Sequence, residues 1–275
     1  MKTKQVMGRA IPLDTWELDF SHTDLSDVVP LAEFTQVRRL RLGHTQITQL
    51  HPLTDAFPHL RDVQISVVPL RDAWPMYQWT KLRRFVLSYC PVADMRVLGH
   101  MPHLEVVDIR HTNAGSLSML EACRDVRVLH LGYTQIRDLS VLRELPKLEV
   151  LCLSGCEITD VSALRHLRRL RSLCLNNTPV RDLSVLEGLP SLTTLEVAHT
   201  PLADLEVLAQ MSGLAWLDIR GVAASVEAQR WLRDNLSSRC LMQWEFGVAR
   251  KQDRPQPDAP PARPAHLAPL DLDSR

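Results

Sequence analysis

Apolar residues return every 22 positions along most of this chain, at Leu60, Leu82, Leu104, Val126, Leu148, Leu170, Leu192 and Leu214. Toward the N-terminus the series continues at Val37, one residue out of step, and reaches Thr15. A period of this length means one small supersecondary unit copied many times, each copy too small to shield its own apolar face. Within a unit the pattern reads LxxLxLxxTxIxDLSxLxxLPx, and the stretches Val126 to Lys147 and Leu170 to Ser191 follow it closely. Ten such units fit from about Thr15 onward.

The pattern has a direct physical reading. In the unit that starts at Val126, Leu129 and Leu131 make a short strand whose alternate side chains point inward. Thr134 follows, with Thr23, Thr45, Val68, Cys90, Thr112, Cys156, Thr178 and Thr200 at the equivalent site. A hydroxyl or thiol there can bond to the backbone where the chain turns. Ile136, Leu139, Leu142 and Leu145 then return to the core. Asp138, echoed by Asp160, Asp182 and Asp204, is placed to cap a short helical turn. Pro146 and Pro190 punctuate the entry to the next strand. Aromatic residues are only 5% of the chain, so aliphatic side chains must carry this core. Each unit sends about seven of them inward, worth about 1.5–3 kcal/mol apiece before entropy is subtracted.

Stacked units predict an α/β solenoid with a curved right-handed parallel sheet on a concave face and short helical turns on the convex one. At a strand spacing of ~4.8 Å, ten strands make a surface roughly 45–50 Å long, the size of a protein partner. The expected organisation is a lead-in over 1–14, repeats over 15–223, a helix–strand cap over 224–250 and a disordered Pro-rich tail over 251–275. Ala224 to Leu236 reads as an amphipathic helix with Val226, Trp231 and Leu232 as its buried side, and Leu241, Trp244 and Phe246 as a final strand. Six prolines in the last 25 residues mark the tail.

The pattern LxxLxLxxTxIxDLSxLxxL resembles the 22-residue class of leucine-rich repeat found in internalins and in the leucine-rich regulatory subunit of protein phosphatase 1. The resemblance runs from about Thr15 to Ile219. It implies a binding scaffold whose ligands dock on the concave strand face. Two departures stand out: Thr and Cys replace the usual Asn on the ladder, and the unit Leu60 to Lys81 has an unusual convex segment.

Function is read from the columns that face away from the core. One column carries His22, His44, Val67, Tyr89, His111, Tyr133, Gly155, Asn177, His199 and Gly221. Rings that also hydrogen-bond are favoured at interfaces, so Tyr89, His111 and Tyr133 are the expected binding centre, with Arg110 beside them and His130, His44 and His199 on the same face. Trp74 and Tyr77, exposed on the convex side by register, form a possible secondary patch. Glu17, Arg39, Asp62 and Arg84 alternate in sign on neighbouring strands, which reads as structural pairing. His130, Cys152 and Cys174 occupy one column on successive strands, with Glu196 next. They spread over roughly 10–15 Å on a flat ladder that lacks the tetrahedral wrap zinc prefers, so no metal is expected.

No catalytic residue is assigned and no cofactor is implied: phosphate-binding glycine loops, HExxH and GxSxG are all missing. Thirty-two basic and 32 acidic residues cancel, which speaks against a nucleic-acid partner. The N-terminal segment has no secretory apolar run, no stretch is long enough to span a membrane, and six scattered cysteines fit a cytoplasmic location. The expected protein is therefore a monomeric, non-enzymatic adaptor or regulatory subunit with a protein partner. An exported bacterial effector or surface ligand of internalin type is the alternative.

Overall fold

The computed structural model describes residues 2–236, 240–244 and 247–249. By its internal packing the chain divides into two compact units, Met1–Leu148 and Glu149–Arg275.

The first unit opens with an antiparallel hairpin, β1 (Thr3–Val6) and β2 (Arg9–Pro12). Met7 and Gly8 turn it with left-handed backbones (φ 50° and 75°), the geometry two-residue hairpin turns require. The expected lead-in thus has its own structure, with Lys4 paired to Glu33 of the first repeat. Six strands follow in parallel and in chain order: β3 (Glu17–Asp19), β4 (Arg39–Arg41), β5 (Asp62–Ser66), β6 (Arg84–Ser88), β7 (Val106–Asp108) and β8 (Val128–His130). After every one of these strands but β5, where Val68 holds the site, a hydroxyl or thiol closes the turn. Thr45, Thr112 and Thr134 donate to the carbonyls of Leu42, Ile109 and Leu131 at 2.8, 2.7 and 2.7 Å, and the Cys90 thiol does the same more weakly toward Ser88.

The chain returns through 3₁₀ turns such as Trp74–Gln78, Arg96–His100 and Ser140–Glu144. Their first amides are held by carboxylates: Asp72 accepts from Trp74 N, Asp94 from Arg96 N and Asp138 from Ser140 N, all within 3.0 Å. The Arg96 guanidinium and then the Arg96 amide hold the Asp94 carboxyl below the usual carboxylate range, and the Ser140 amide and hydroxyl do the same for Asp138. The out-of-step residue near Val37 is absorbed on this side. Buried Leu53 and Phe57 stand four residues apart where Leu142 and Leu145 stand three, and the pairing Arg39 with Asp62 is undisturbed. Phe34, Phe57 and Trp79 fill one core column with large rings, continued by Met101, Cys123 and Leu145. Trp79 donates its indole N–H to Leu53 O at 3.3 Å.

The second unit repeats the plan with β9 (Val150–Cys152), β10 (Ser172–Cys174), β11 (Thr194–Glu196) and β12 (Trp216–Asp218), all parallel. β13 (Leu241–Trp244) adds to them in parallel, and β14 (Gly247–Ala249) pairs with β13 antiparallel. The return segments are 3₁₀ turns at Ser162–His166 and Ser184–Gly188, then two α-helices, α1 (Glu206–Gln210) and α2 (Val226–Asn235). Ser225 caps α2 by accepting from Ala228 N.

The expected buried side of α2 is corrected in two of its three members. Leu232 is buried, but Val226 and Trp231 are exposed. A turn of 3.6 residues puts Leu232 in line with Ala228 and Leu236 and leaves Val226 and Trp231 off that stripe. Phe246 and the tail from Lys251 lie outside the described residues.

Candidate functional site

The column of rings sits where each strand ends and the backbone swings into the left-handed region. His22, His44, Val67, Tyr89, His111, Tyr133, Asn177 and His199 all have φ between 53° and 59°, and Gly155 and Gly221 have 67° and 65°. The backbone makes a demand, and it is one that Gly and Asn meet most cheaply. The second unit largely meets it that way, with Gly155, Asn177 and Gly221. The first unit uses neither residue at any of its six positions. Each non-glycine side chain there costs about 1–2 kcal/mol relative to a relaxed backbone.

Within the first unit the rings form two stacks. His22 and His44 lie with centroids 4.3 Å apart and planes 15° from parallel. Tyr89, His111 and Tyr133 make a triple stack, with centroid separations of 4.1 and 4.4 Å and 13° between planes at both steps. Tyr89 and Tyr133 remain about half exposed (52% and 49%). Arg110 lies beside the stack and is clamped by Asp108, with Nε to Oδ1 at 3.0 Å and an outer guanidinium nitrogen to Oδ2 at 2.7 Å. Burial, followed by the Arg110 cation, pushes the His111 imidazole below its ordinary pKa, against a smaller opposing pull from Asp108. Both causes disfavour the charged form of the His111 ring between the two phenols.

His44 is exposed on the same column as the triple stack. His130, at the end of β8 and three residues before Tyr133, is half-buried, and its Nδ1 is enclosed with no hydrogen-bond partner among the described residues. His199 lies in the second unit, its ring laid across Gly221, where an added Cβ would come within 2.1 Å of its Nδ1. Trp74 and Tyr77 stack at 5.7 Å on the 3₁₀ side, Trp74 exposed and Tyr77 half-buried. His100 meets both rings edge-on, at 5.5 and 6.3 Å, and joins a patch that sequence reasoning had limited to two residues. Pro75 sits inside the first turn of Trp74–Gln78.

Asp108 was also missed as a site residue. Its signal was available: Asp218 and Arg220 repeat the same D-x-R spacing at the same strand position with the same bidentate geometry.

The alternating charges of the first unit pair along the sheet. Arg39 Nε reaches Asp62 at 3.2 Å and an Arg39 guanidinium nitrogen reaches Glu17 at 3.9 Å, while Arg84 approaches Asp62 at 3.8 Å. Burial still outweighs these arginines at Asp62 and raises its carboxyl pKa. Among the described residues no group of three or more His, Cys, Asp or Glu side chains is disposed around a metal position, and no helix is long and apolar enough to cross a membrane.

A family model for leucine-rich repeats (two copies) matches residues 125–166 and 168–210. No curated protein matches the sequence. Among solved structures, an internalin (inlF) of Listeria monocytogenes is similar over 84% of this chain and 66% of its own, at 23% identity and a TM-score of 0.74. A leucine-rich-repeat protein of Leptospira interrogans covers 82% of this chain at 19% identity and a TM-score of 0.71. Internalin C2 of Listeria monocytogenes covers 78% of this chain and 86% of its own, at 21% identity and a TM-score of 0.58. The chain spans 66% of the inlF structure and 59% of the Leptospira protein. At these identities the likeness establishes the fold.

Proposed function

We propose that this chain, a leucine-rich-repeat protein with an α/β solenoid fold resembling the internalins, binds a folded protein partner through the sheet face of residues 1–148, as an adaptor or regulatory subunit. Leucine-rich-repeat folds are typically binding scaffolds, and an open strand face is poor ground for water-excluding chemistry. One observation carries the reading. The first unit keeps rings at every left-handed ladder position except Val67, against a backbone cost that the second unit largely avoids with Gly and Asn. Strain maintained at a cluster of exposed, hydrogen-bonding rings is the mark of a functional surface. Tyr89, His111 and Tyr133 form its centre, Arg110 its fixed cation, and His44 an outlying member. His130 sits at the inner margin.

Neutral net charge supports a protein partner over nucleic acid. A cytoplasmic location belongs to the same proposal, supported by six cysteines held as thiols. The test is affinity capture from native lysate, read by mass spectrometry, with wild type against a Tyr89→Asn/His111→Asn/Tyr133→Asn variant. Asn suits the left-handed backbone, so the variant keeps its fold. A partner captured by the wild type should be lost from the variant, and a partner retained in full would sink the reading.

The alternative, an exported effector or surface ligand, draws only on fold likeness to the two Listeria internalins. Recovery of the chain from culture medium of intact cells would favour it.

A further inference from the structure

The second unit carries a cluster that partner binding does not use. Cys152 and Cys174 are register partners on adjacent parallel strands. Their side chains are joined through Ser154, whose Oγ lies 3.5 Å from Cys152 Sγ and 2.9 Å from Cys174 Sγ. Cys174 Sγ donates to Glu196 Oε2 at 3.2 Å, and Asn176 Nδ2 fixes the same oxygen at 3.0 Å. Cys174 is buried and Cys152 half-exposed, so the pair is dry on one side and open on the other. The remaining cysteines, Cys90, Cys123, Cys156 and Cys240, are all buried.

Two thiols this close suggest a disulfide or a metal ion, and geometry chooses between them. In-register parallel strands hold equivalent atoms ~4.8 Å apart. A disulfide draws its Cβ atoms to ~3.8 Å, which would require the strands to close up. An ion placed midway between two sulfurs needs twice a metal–thiolate bond of about 2.3 Å, or about 4.6 Å, which is close to the ~4.8 Å spacing of neighbouring strands. Zinc wants at least three protein ligands around one point, and no such group exists among the described residues. Two soft sulfurs in line suit a monovalent d10 ion.

We infer that Cys152 and Cys174 form a two-coordinate thiolate site for one copper(I) ion. Each thiol releases its proton and forms one bond to the ion. The Cys174 proton leaves through Glu196 Oε2, which already accepts it, and copper keeps its oxidation state. The product carries one net negative charge facing the Glu196 carboxylate, so Glu196→Gln should tighten binding.

The experiment titrates the full chain anaerobically with copper(I) held by a chromophoric chelator, and measures how much ion the protein withdraws. The expected result is one equivalent per chain, with X-ray absorption showing two sulfur neighbours. Cys152→Ser should weaken binding by more than about a hundredfold, beyond the 10–100-fold usual for outer-shell partners. On the unmodified chain, copper(I) should protect the half-exposed Cys152 from alkylation, a readout that needs no variant to fold. Full affinity in Cys152→Ser, three or more sulfur neighbours, zinc bound as tightly at the same thiols, or unprotected Cys152 would each overturn the site.

Discussion

At Val67 and Tyr89 the same backbone conformation carries side chains of opposite value. Both stand in the left-handed region, at φ 57° and 55°. Val67 is β-branched, the worst type there, and it is exposed, with no ring stack to offset the cost. Val67→Gly should therefore raise stability by about 1 kcal/mol, read as a higher denaturation midpoint at unchanged slope. Tyr89→Gly relieves a similar strain but removes a stacking step worth about 0.5–1.5 kcal/mol, so it should land within about 1 kcal/mol of wild type. A large loss at Tyr89 would mean that the stack is part of the fold and not a surface held for binding. Gly221 presents the reverse case. Gly221→Ala drives a Cβ into the His199 ring and should cost more than about 1 kcal/mol. Adding His199→Ala should recover the collision share and leave the backbone share, which a double-mutant cycle separates. His111 has a pH consequence. Its folded-state pKa is depressed, so the unfolded chain takes up the proton first as pH falls. Stability from this ring is full above about 6.5 and is lost as pH drops from there toward the folded value. The pH dependence of the melting temperature below about 6.5 should flatten in His111→Asn, and an unchanged slope would remove the depressed His111 pKa from the account.

Strands and their closing turns are where the sequence was most readable. The 22-residue spacing places Leu40, Leu129 and Leu173 inside because only alternate residues of a strand can face the core. The Thr column was legible for a similar reason, since a hydroxyl at a fixed distance past a strand can reach a backbone carbonyl where the chain turns. Removing that hydroxyl should leave a buried carbonyl short of a partner. Thr112→Val, nearly isosteric, is expected to cost about 1–3 kcal/mol by chemical denaturation, and a cost near zero would mean that the Ile109 carbonyl is satisfied elsewhere. What could not be read was conformation that contradicts residue preference. Tyr, His and Val all avoid the left-handed region, so a column of them gave no sign of it. The faces of α2 failed for a different reason: ten residues hold too few apolar side chains to define a stripe, and Trp231 drew the assignment by its size. The Met7–Gly8 hairpin was written in a Gly-containing turn between short alternating runs, and it was overlooked because the repeat period says nothing about residues that precede it.

Repeat architecture makes each layer answerable mainly to its neighbours, and that governs how damage should spread in residues 1–148. The chain is poor in aromatic residues, yet Phe34, Phe57 and Trp79 stand in one column of the core that elsewhere holds Met101, Cys123 and Leu145. Leucine is the consensus choice for that column, which makes Trp79→Leu look like an improvement. Packing argues otherwise. The indole fills its layer completely, bonds to the Leu53 carbonyl, and meets the Phe57 ring at 6.2 Å. Leucine would leave a cavity beside Phe57 and Met101 and take from the Leu53 carbonyl one of its two donors, the Ala56 N–H remaining, at a cost of about 2–4 kcal/mol. Because contacts pass only between adjacent layers, the loss should be local. Hydrogen exchange in Trp79→Leu should accelerate most in β5 and β6, less in β4 and β7, and least in β8. Uniform acceleration from β3 to β8 would mean that these layers unfold as one cooperative block, and the ring column would then stabilise the unit as a whole instead of its own neighbourhood. The ladder edge and the core column would in that case be coupled, and substitutions at Tyr89 could no longer be read as surface effects alone.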